Sequence, residues 1–149
     1  MTNTVSVLND LIETSKDGEQ GFLKAANDAT DPKLKVLLTG RAEECAHAAR
    51  ELQARVVALG GKPEDKGSVS GALHRGWVDV KAALSSRDNH AILSECERGE
   101  DVAKKRYREA LDKELPADIR SLVELQFQGV LQNHDRIREL RDQYAAIRS

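Results

Sequence analysis

Two glutamates of this sequence occupy positions where a buried carboxylate could do chemistry. Glu100 lies beside an apolar stripe with helical spacing, and at about 100° per residue it is roughly 40° from Cys96 around that helix. The stripe consists of Ile92, Cys96, Gly99, Ala103, Tyr107 and Ala110. Glu19 takes the corresponding place on an earlier helix. A carboxylate at the edge of a core needs a metal ion, an arginine or a proton as its partner.

The first candidate partner is an arginine. Arg41 lies close to the inward stripe of the second helix, and Gln126 takes the corresponding place on the last helix. The planar guanidinium of arginine can satisfy a carboxylate at two points. The sequence therefore predicts a buried polar network, which need not stabilise the fold, since it can fix helix register instead. Its predicted members are Glu19, Arg41, Glu100, Gln126, Asn133 and His134.

The second candidate partner is a metal ion. Residues 44–47 spell a Glu-x-x-His pair, and carboxylate oxygens combined with imidazole suit iron or manganese. The candidate ligands are Glu19, Glu44, His47 and Glu100. With Cys45 facing inward, however, Glu44 lies roughly 100° and His47 roughly 160° away around the helix. This phase favours the arginine network, and the metal site stays as the alternative.

Four long helices must position these residues. Asp31 is predicted as an N-cap with Pro32 at the first helical position, and Gly60-Gly61 is a stop signal. We predict helices over about 4–27, 32–59, 90–113 and 116–147. No segment shows a convincing alternating strand pattern. The chain is therefore expected to be all-α and to form one domain over residues 1–149.

The lengths of the connections predict how these helices are arranged. Short loops at residues 29–31 and near Glu114 make the first two and the last two helices antiparallel neighbours. The 60–87 segment is long enough to run the length of a bundle, and within it residues 69–85 are predicted as an extra short helix, with His74 and Trp77 on one face. Two antiparallel hairpins joined by a long crossover form the ferritin-like four-helix bundle.

Several short motifs strengthen this prediction. They are Asp17-Gly18, Leu59-Gly60-Gly61, His74-Arg75-Gly76-Trp77, Cys96-Glu97-Arg98-Gly99-Glu100 and His134-Asp135-Arg136-Ile137-Arg138. Through these motifs the chain resembles, over nearly its full length, an uncharacterised bacterial family of ferritin-like four-helix-bundle proteins, a domain of unknown function. The resemblance implies the fold and implies little about activity, because that family has no established reaction.

Composition excludes several classes of protein. The formal net charge is -2, which offers no global attraction to nucleic acid or to an anionic membrane. The basic run at residues 104–108 is interspersed with acidic residues at i,i+4 spacing, as on a solvated helix face. No apolar span approaches the roughly 18 residues of a membrane helix, and the N-terminus has no signal-peptide pattern. We therefore expect a cytoplasmic protein without a nucleic-acid or membrane partner.

The cysteines and the network lead to a functional expectation. Cys45 and Cys96 both lie on apolar stripes and are expected to be buried and reduced, with a redox pair as the alternative. We expect a non-catalytic helical interaction or stress-associated protein without a cofactor, the stress association following only from the ferritin-like resemblance. Self-association as a homo-oligomer is part of this expectation. The alternative is a di-iron or di-manganese carboxylate protein with an oxidase or metal-storage role.

Overall fold

The computed structural model describes residues 3–67 and 89–148, which form four α-helices and contain no strand. The helices are α1 (Thr4–Asp28), α2 (Pro32–Ala58), α3 (Asn89–Leu111) and α4 (Ala117–Arg148). Their ends lie within a few residues of the predicted ends, and the all-α prediction is confirmed for the described part of the chain. None of these helices contains a stretch that is both long and apolar enough to cross a membrane.

Local sequence signals account for the helix ends. The Asp31 side chain accepts a hydrogen bond from the backbone nitrogen of Lys33 at 2.9 Å, and Pro32 stands at the first position of α2. Asn3 caps α1 in the same way by accepting from the backbone nitrogen of Ser6 at 3.1 Å. After α2, Gly60 adopts a positive φ of 80°, a left-handed conformation that glycine tolerates without a steric penalty.

Contacts between the helix ends establish the direction of each helix. The Asn89 side chain accepts from the Thr30 backbone nitrogen at 3.1 Å, so α3 begins at the end of the bundle where α1 stops. Arg55 donates to Asp118 at 3.0 Å, so α4 begins at the end where α2 stops. Consequently α2 and α3 run in the same direction, and α1 and α4 run in the opposite one.

The chain after α2 returns toward the other end of the bundle along α1. The Asn9 amide donates to the Lys62 carbonyl at 3.2 Å, and its oxygen accepts from the Glu64 backbone nitrogen at 2.8 Å. Gly67 then lies directly against the Asp17 carboxylate, two turns further along α1. The short helix predicted over residues 69–85, with His74 and Trp77, lies outside the described residues.

The buried apolar residues of the described helices form two clusters with polar side chains between them. One cluster is built around Phe22, Leu38, Ile92 and Ile137, and the other around Leu8, Leu52, Tyr107 and Val123. Around the bundle, α1 packs closely on α2 and on α3, and α3 packs on α4. The fourth side is different, because α2 and α4 scarcely approach each other. The four described helices therefore leave one open seam between them, between α2 and α4.

Candidate functional site

A buried ion pair lies near the middle of the bundle. Arg41 on α2 donates from Nε and Nη2 to Oε1 of Glu100 on α3, at 3.3 Å and 3.2 Å, and from Nη2 to Oε2 at 3.4 Å. Only 8% of the Arg41 side chain and 2% of the Glu100 side chain are exposed. The guanidinium also lies over the Phe22 ring, 5.8 Å from its centroid, where the negative face of the ring favours a cation.

Each partner shifts the pKa of the other in the direction opposite to the shift that burial causes. Burial has the largest single effect on the pKa of Arg41 and lowers it, but the Glu100 carboxylate and smaller contributions from neighbouring groups together outweigh it, so the pKa of Arg41 is raised and the guanidinium stays charged. Burial raises the pKa of Glu100 above its ordinary value, and Arg41 opposes that rise through its charge and its hydrogen bonds. The pair is thus held together by geometry in a place where neither charge would be stable alone.

Gln126, a predicted member of this network, has different partners. Its side-chain oxygen accepts from the Tyr107 hydroxyl at 2.8 Å, which links α4 to α3. Its side-chain nitrogen lies 3.3 Å from the Ala48 carbonyl oxygen and 3.3 Å from a Glu51 carboxylate oxygen, both on α2. Gln126 therefore spans the open seam, and it does not contact the Arg41–Glu100 pair through any hydrogen bond of the described residues.

His134 belongs to a second polar cluster, between α3 and α4. Its Nε2 lies 2.6 Å from Asp101 Oδ1 and 3.7 Å from Glu97 Oε2. Arg141, about two turns further along α4, donates to the other oxygen of Glu97. The sequence reasoning missed Glu97, which is only 8% exposed. The signal for it was available, because Glu97 and Arg141 are opposite charges on the edges of two facing stripes.

Glu19 and Asn133 stand at the margin of the predicted network. The Glu19 side chain is 29% exposed and forms its ion pair with Lys16 at 3.9 Å, one turn back on α1. Position 18, which faces Cys45, is the inward one, so the next residue is rotated about 100° toward the edge. The Asn133 side chain lies near enough to lower the pKa of Glu100, but its buried nitrogen makes no hydrogen bond within the described residues.

The four candidate metal ligands do not meet at one point. The His47 side chain is 68% exposed, with Nε2 3.6 Å from Glu51, and Glu44 is also exposed. Glu19 pairs with Lys16, and both oxygens of Glu100 accept from Arg41. Across residues 3–67 and 89–148, no three histidine, cysteine, aspartate or glutamate side chains converge as a metal ion would require. The helical phase of His47, which turns it outward, is the physical reason.

The open seam leads into a cavity of about 430 Å³ above the ion pair. Arg41, Glu100, Cys45 and Tyr107 are among the side chains that line it. All four helices contribute, and glycines are frequent: Gly18 on α1, Gly40 on α2, Gly99 on α3 and Gly129 on α4. We refer to this cavity as the α2–α4 cleft. The sequence reasoning missed it, because periodicity reports which face of a helix is apolar and not how far apart two helices stand.

Two of these glycines have no packing reason among the residues that the structure describes. A Cβ atom added at Gly40 or at Gly129 would meet no atom of those residues within 4 Å. By contrast, a Cβ at Gly18 would come within 2.9 Å of the Cys45 sulfur. A glycine inside a helix costs roughly 0.5–1 kcal/mol relative to alanine. Gly40 and Gly129 therefore weaken their helices, and in return they keep the side chains of α2 and α4 out of the mouth of the cleft at these two positions.

The ionisable groups inside the cleft are poorly suited to catalysis. Burial raises the pKa of the Cys45 thiol to about 12, so the thiolate that a nucleophile requires is scarce at neutral pH. Burial likewise raises the pKa of Tyr107 above its ordinary value. The oxygens of Glu100 are occupied by Arg41. The arrangement can hold a ligand by shape, charge and hydrogen bonds, and none of these three buried groups is an activated nucleophile or an unoccupied general base.

Comparison with known proteins identifies a family without a known activity. No curated protein matches the chain. The family described as "Domain of unknown function (DUF2383)" matches residues 3–113. This range includes α1, α2 and α3 and ends before α4, so the motif at residues 134–138 lies beyond it, whereas the predicted resemblance extended over nearly the whole chain. Since the match covers well over half of the sequence, the chain belongs to the family described as "Domain of unknown function (DUF2383)".

Proposed function

We propose that this protein is a non-catalytic binding protein with a ferritin-like bundle, and that the α2–α4 cleft is its binding site. The observation that carries the proposal is the open seam above a cavity of about 430 Å³. Pockets for small molecules typically have volumes of roughly 300–1,000 Å³ and combine apolar walls with a few fixed polar groups. The cleft meets both criteria.

The helix directions support the ferritin-like part of the proposal. In that fold, two antiparallel hairpins are joined by a connection that returns along the bundle, so the second and third long helices run in the same direction. The contacts of Asn89 with Thr30 and of Arg55 with Asp118 give α2 and α3 this relationship.

The polar contacts support a site that keeps its shape. Arg41 and Glu100 join α2 to α3 at the floor of the cleft, and Gln126 joins α4 to α2 across the seam. A binding site gains affinity when its walls are positioned before the ligand arrives, since less ordering remains to be done on binding. These bonds fix the distance between the walls of the cleft. In this role the ion pair positions the walls of a binding site and takes part in no reaction.

A small-molecule fragment screen with a blocked variant tests the proposal. Ligand-observed NMR would be recorded with a charge-balanced fragment library on the native chain, on Gly129→Leu and on Gly129→Ala. The leucine side chain would extend into the cleft, whereas alanine adds only one methyl group at a position with free space. We expect fragments that bind the native chain and the alanine variant and are lost with leucine. A screen in which leucine changes no hit would contradict the proposal.

Metal analysis of the purified protein supplies an independent check. The candidate ligands Glu44 and His47 are exposed, whereas Glu100 is buried and accepts hydrogen bonds from Arg41, so we expect no stoichiometric iron or manganese after incubation with ferrous or manganous salt. One or two equivalents of metal that disappear in Glu100→Gln would contradict the proposal and favour the carboxylate-metal alternative. Stress association and self-association stay predictions, the latter to be tested by size-exclusion chromatography with light scattering at micromolar concentration.

A further inference from the structure

We propose that the α2–α4 cleft takes a small organic cation, a molecule with an ammonium group, an apolar chain and an oxygen acceptor at its inner end. This inference rests on the proposed function, because it assigns a ligand class to the same cleft. Three observations carry it: the charge of the cleft, the apolar wall, and an unused donor at the floor.

The charge of the cleft is strongly negative. Glu43, Glu44 and Glu51 on α2 line it near the surface, and Glu100 lines it inside. Among the described lining residues, Arg41 is the only lysine or arginine, and its charge is already balanced by Glu100. A cleft walled by protein concentrates the field of its charges, so a cation is attracted and an anion is repelled.

The outer carboxylates are available to a ligand. Glu43 and Glu44 are exposed, and neither forms a hydrogen bond or an ion pair with another described residue. Glu51 is more engaged, since it lies 3.3 Å from the Gln126 side-chain nitrogen and 3.6 Å from His47. An ionised carboxylate accepts hydrogen bonds only, and an ammonium group supplies three donors. The two unengaged carboxylates therefore suit the ammonium end of the ligand.

The wall between rim and floor is mostly apolar. Leu125, which is 66% exposed, stands at the mouth, and Ala48, Ala103 and Val130 continue inward. An exposed leucine beside three carboxylates is an amphipathic surface. A chain of methylene groups would cover this surface, and each fully buried CH₂ would contribute roughly 0.8 kcal/mol to the free energy of binding.

The floor offers an unused hydrogen-bond donor. Arg41 donates to Glu100 from Nε and Nη2, and its Nη1 makes no hydrogen bond with any described residue. Only 8% of the Arg41 side chain is exposed, so water has little access to this donor. A guanidinium has five N–H donors, and two of them belong to Nη1. A hydroxyl or carbonyl oxygen that reaches the floor would satisfy this group. A carboxylate there would meet Glu100 and the acidic rim, which is why we assign a neutral oxygen.

Four probes of equal chain length separate the parts of this proposal. Isothermal titration calorimetry would be run on the full chain with 6-aminohexan-1-ol, hexylamine, 1-hexanol and hexanoate. We expect 6-aminohexan-1-ol to bind tightest, with hexylamine and 1-hexanol each weaker by about threefold or more, as loss of one ion pair or one hydrogen bond predicts. Hexanoate should not bind. Any other probe binding as tightly as 6-aminohexan-1-ol, or no binding by that probe, would overturn the proposal.

Two variants assign the ammonium group to the rim. The double substitution Glu43→Gln and Glu44→Gln removes two charges from exposed side chains without changing their shape. It should weaken the binding of both amines by about threefold or more and leave the affinity for 1-hexanol unchanged. Glu139→Gln removes one exposed carboxylate of α4 that does not line the cleft, and it should change neither the affinity for the amines nor that for 1-hexanol. Equal weakening by Glu139→Gln would indicate a general charge effect and would overturn the assignment.

Failure of the cation and failure of the binding site give different results. If 1-hexanol binds as tightly as the amines and Gly129→Leu abolishes both, the cation is wrong and the cleft is still a binding site. If the amines bind and Gly129→Leu leaves their affinity unchanged, they bind elsewhere, and the site itself is wrong.

Discussion

Arg41 and Glu100 join the two helices that lie diagonally opposite each other in the bundle. α2 and α3 make no close backbone approach among the described residues, yet these two side chains meet across the diagonal with a shortest separation of 3.2 Å. A pair in this position sets the offset of the two hairpins relative to each other, because each hairpin contributes one partner. It also blocks the centre of the bundle with a cation where a metal site would need converging carboxylates.

Replacing Arg41 tests the importance of this pair for stability. Arg41→Leu would leave the Glu100 carboxylate buried without a counter-charge, so we expect a loss of roughly 3–5 kcal/mol in the free energy of unfolding. Urea unfolding followed by circular dichroism would measure it. The double variant Arg41→Leu with Glu100→Leu leaves no buried charge and should recover most of the loss. An unchanged unfolding midpoint in the single variant would contradict a structural role for the pair.

The fold could be predicted largely because its signals are local. The cap at Asp31, the proline after it and the glycine at position 60 act within one helical turn, and each is seen in the structure. The apolar stripe around Glu100 depends only on helical period, and Ile92, Cys96 and Glu100 are all buried. The directions of the helices followed from loop lengths, which limit how far apart consecutive helices can begin.

The partners of polar side chains could not be predicted in the same way. Periodicity indicates which way a side chain points, and the inward phase of Arg41 was visible in the sequence. Which residue it meets depends on the axial offset between helices, and one residue is only about 1.5 Å along the axis. His134 consequently meets Asp101, an exposed residue, and Gln126 meets Tyr107, and helical phase alone predicts neither pairing. The α2–α4 cleft depends on helix separation, about which periodicity carries no information.

Two glycines of the cleft should respond to alanine in opposite ways. At Gly129 a methyl group meets no atom of residues 3–67 or 89–148 within 4 Å, so Gly129→Ala should raise stability by roughly 0.5–1 kcal/mol through helix propensity. At Gly18 the same methyl group would lie 2.9 Å from the Cys45 sulfur, so Gly18→Ala should lower stability by about 1–3 kcal/mol. Cys45→Ala in the Gly18→Ala background should relieve part of that loss. Thermal and urea unfolding would measure both, and equal responses would contradict the packing described for Gly18.

Tyr144 should make stability depend on alkaline pH. Burial and the hydrogen bond that its hydroxyl donates to Asp31 raise the pKa of Tyr144 from 10.0 to about 12. The folded state therefore holds this proton more tightly than the unfolded state does. The stabilisation is fully present below the unfolded pKa and is lost as pH rises through the folded one, that is, between about pH 10 and about pH 12.

The variant Tyr144→Phe isolates this effect from that of other groups. It should lose less stability than the native chain across that alkaline window, as measured by urea unfolding at several pH values. The tyrosine hydroxyl and the nearby backbone also lower the pKa of Asp31, which gives stability that is lost as pH falls through the folded pKa of that carboxyl. The variant should therefore also lose less stability on the acid side. Parallel pH profiles for the two proteins would contradict the contact.

The two cysteines should be unreactive while the protein is folded. Cys45 and Cys96 are both free, with 6% and 0% of their surface exposed, and burial raises the pKa of each thiol. A thiol reagent attacks the thiolate and needs access, so labelling of the folded chain has to await an opening of the bundle. With an aromatic disulfide reagent at pH 8, we expect labelling at least about a hundredfold slower than in denaturant. Cys45 should react faster than Cys96, because it lines the cleft, and the single alanine variants would assign the two rates.

Rapid labelling of either thiol in the folded chain would contradict the prediction that both cysteines are buried and reduced. Loss of both thiols to an intramolecular disulfide under mild oxidant would also contradict it and would favour a redox pair.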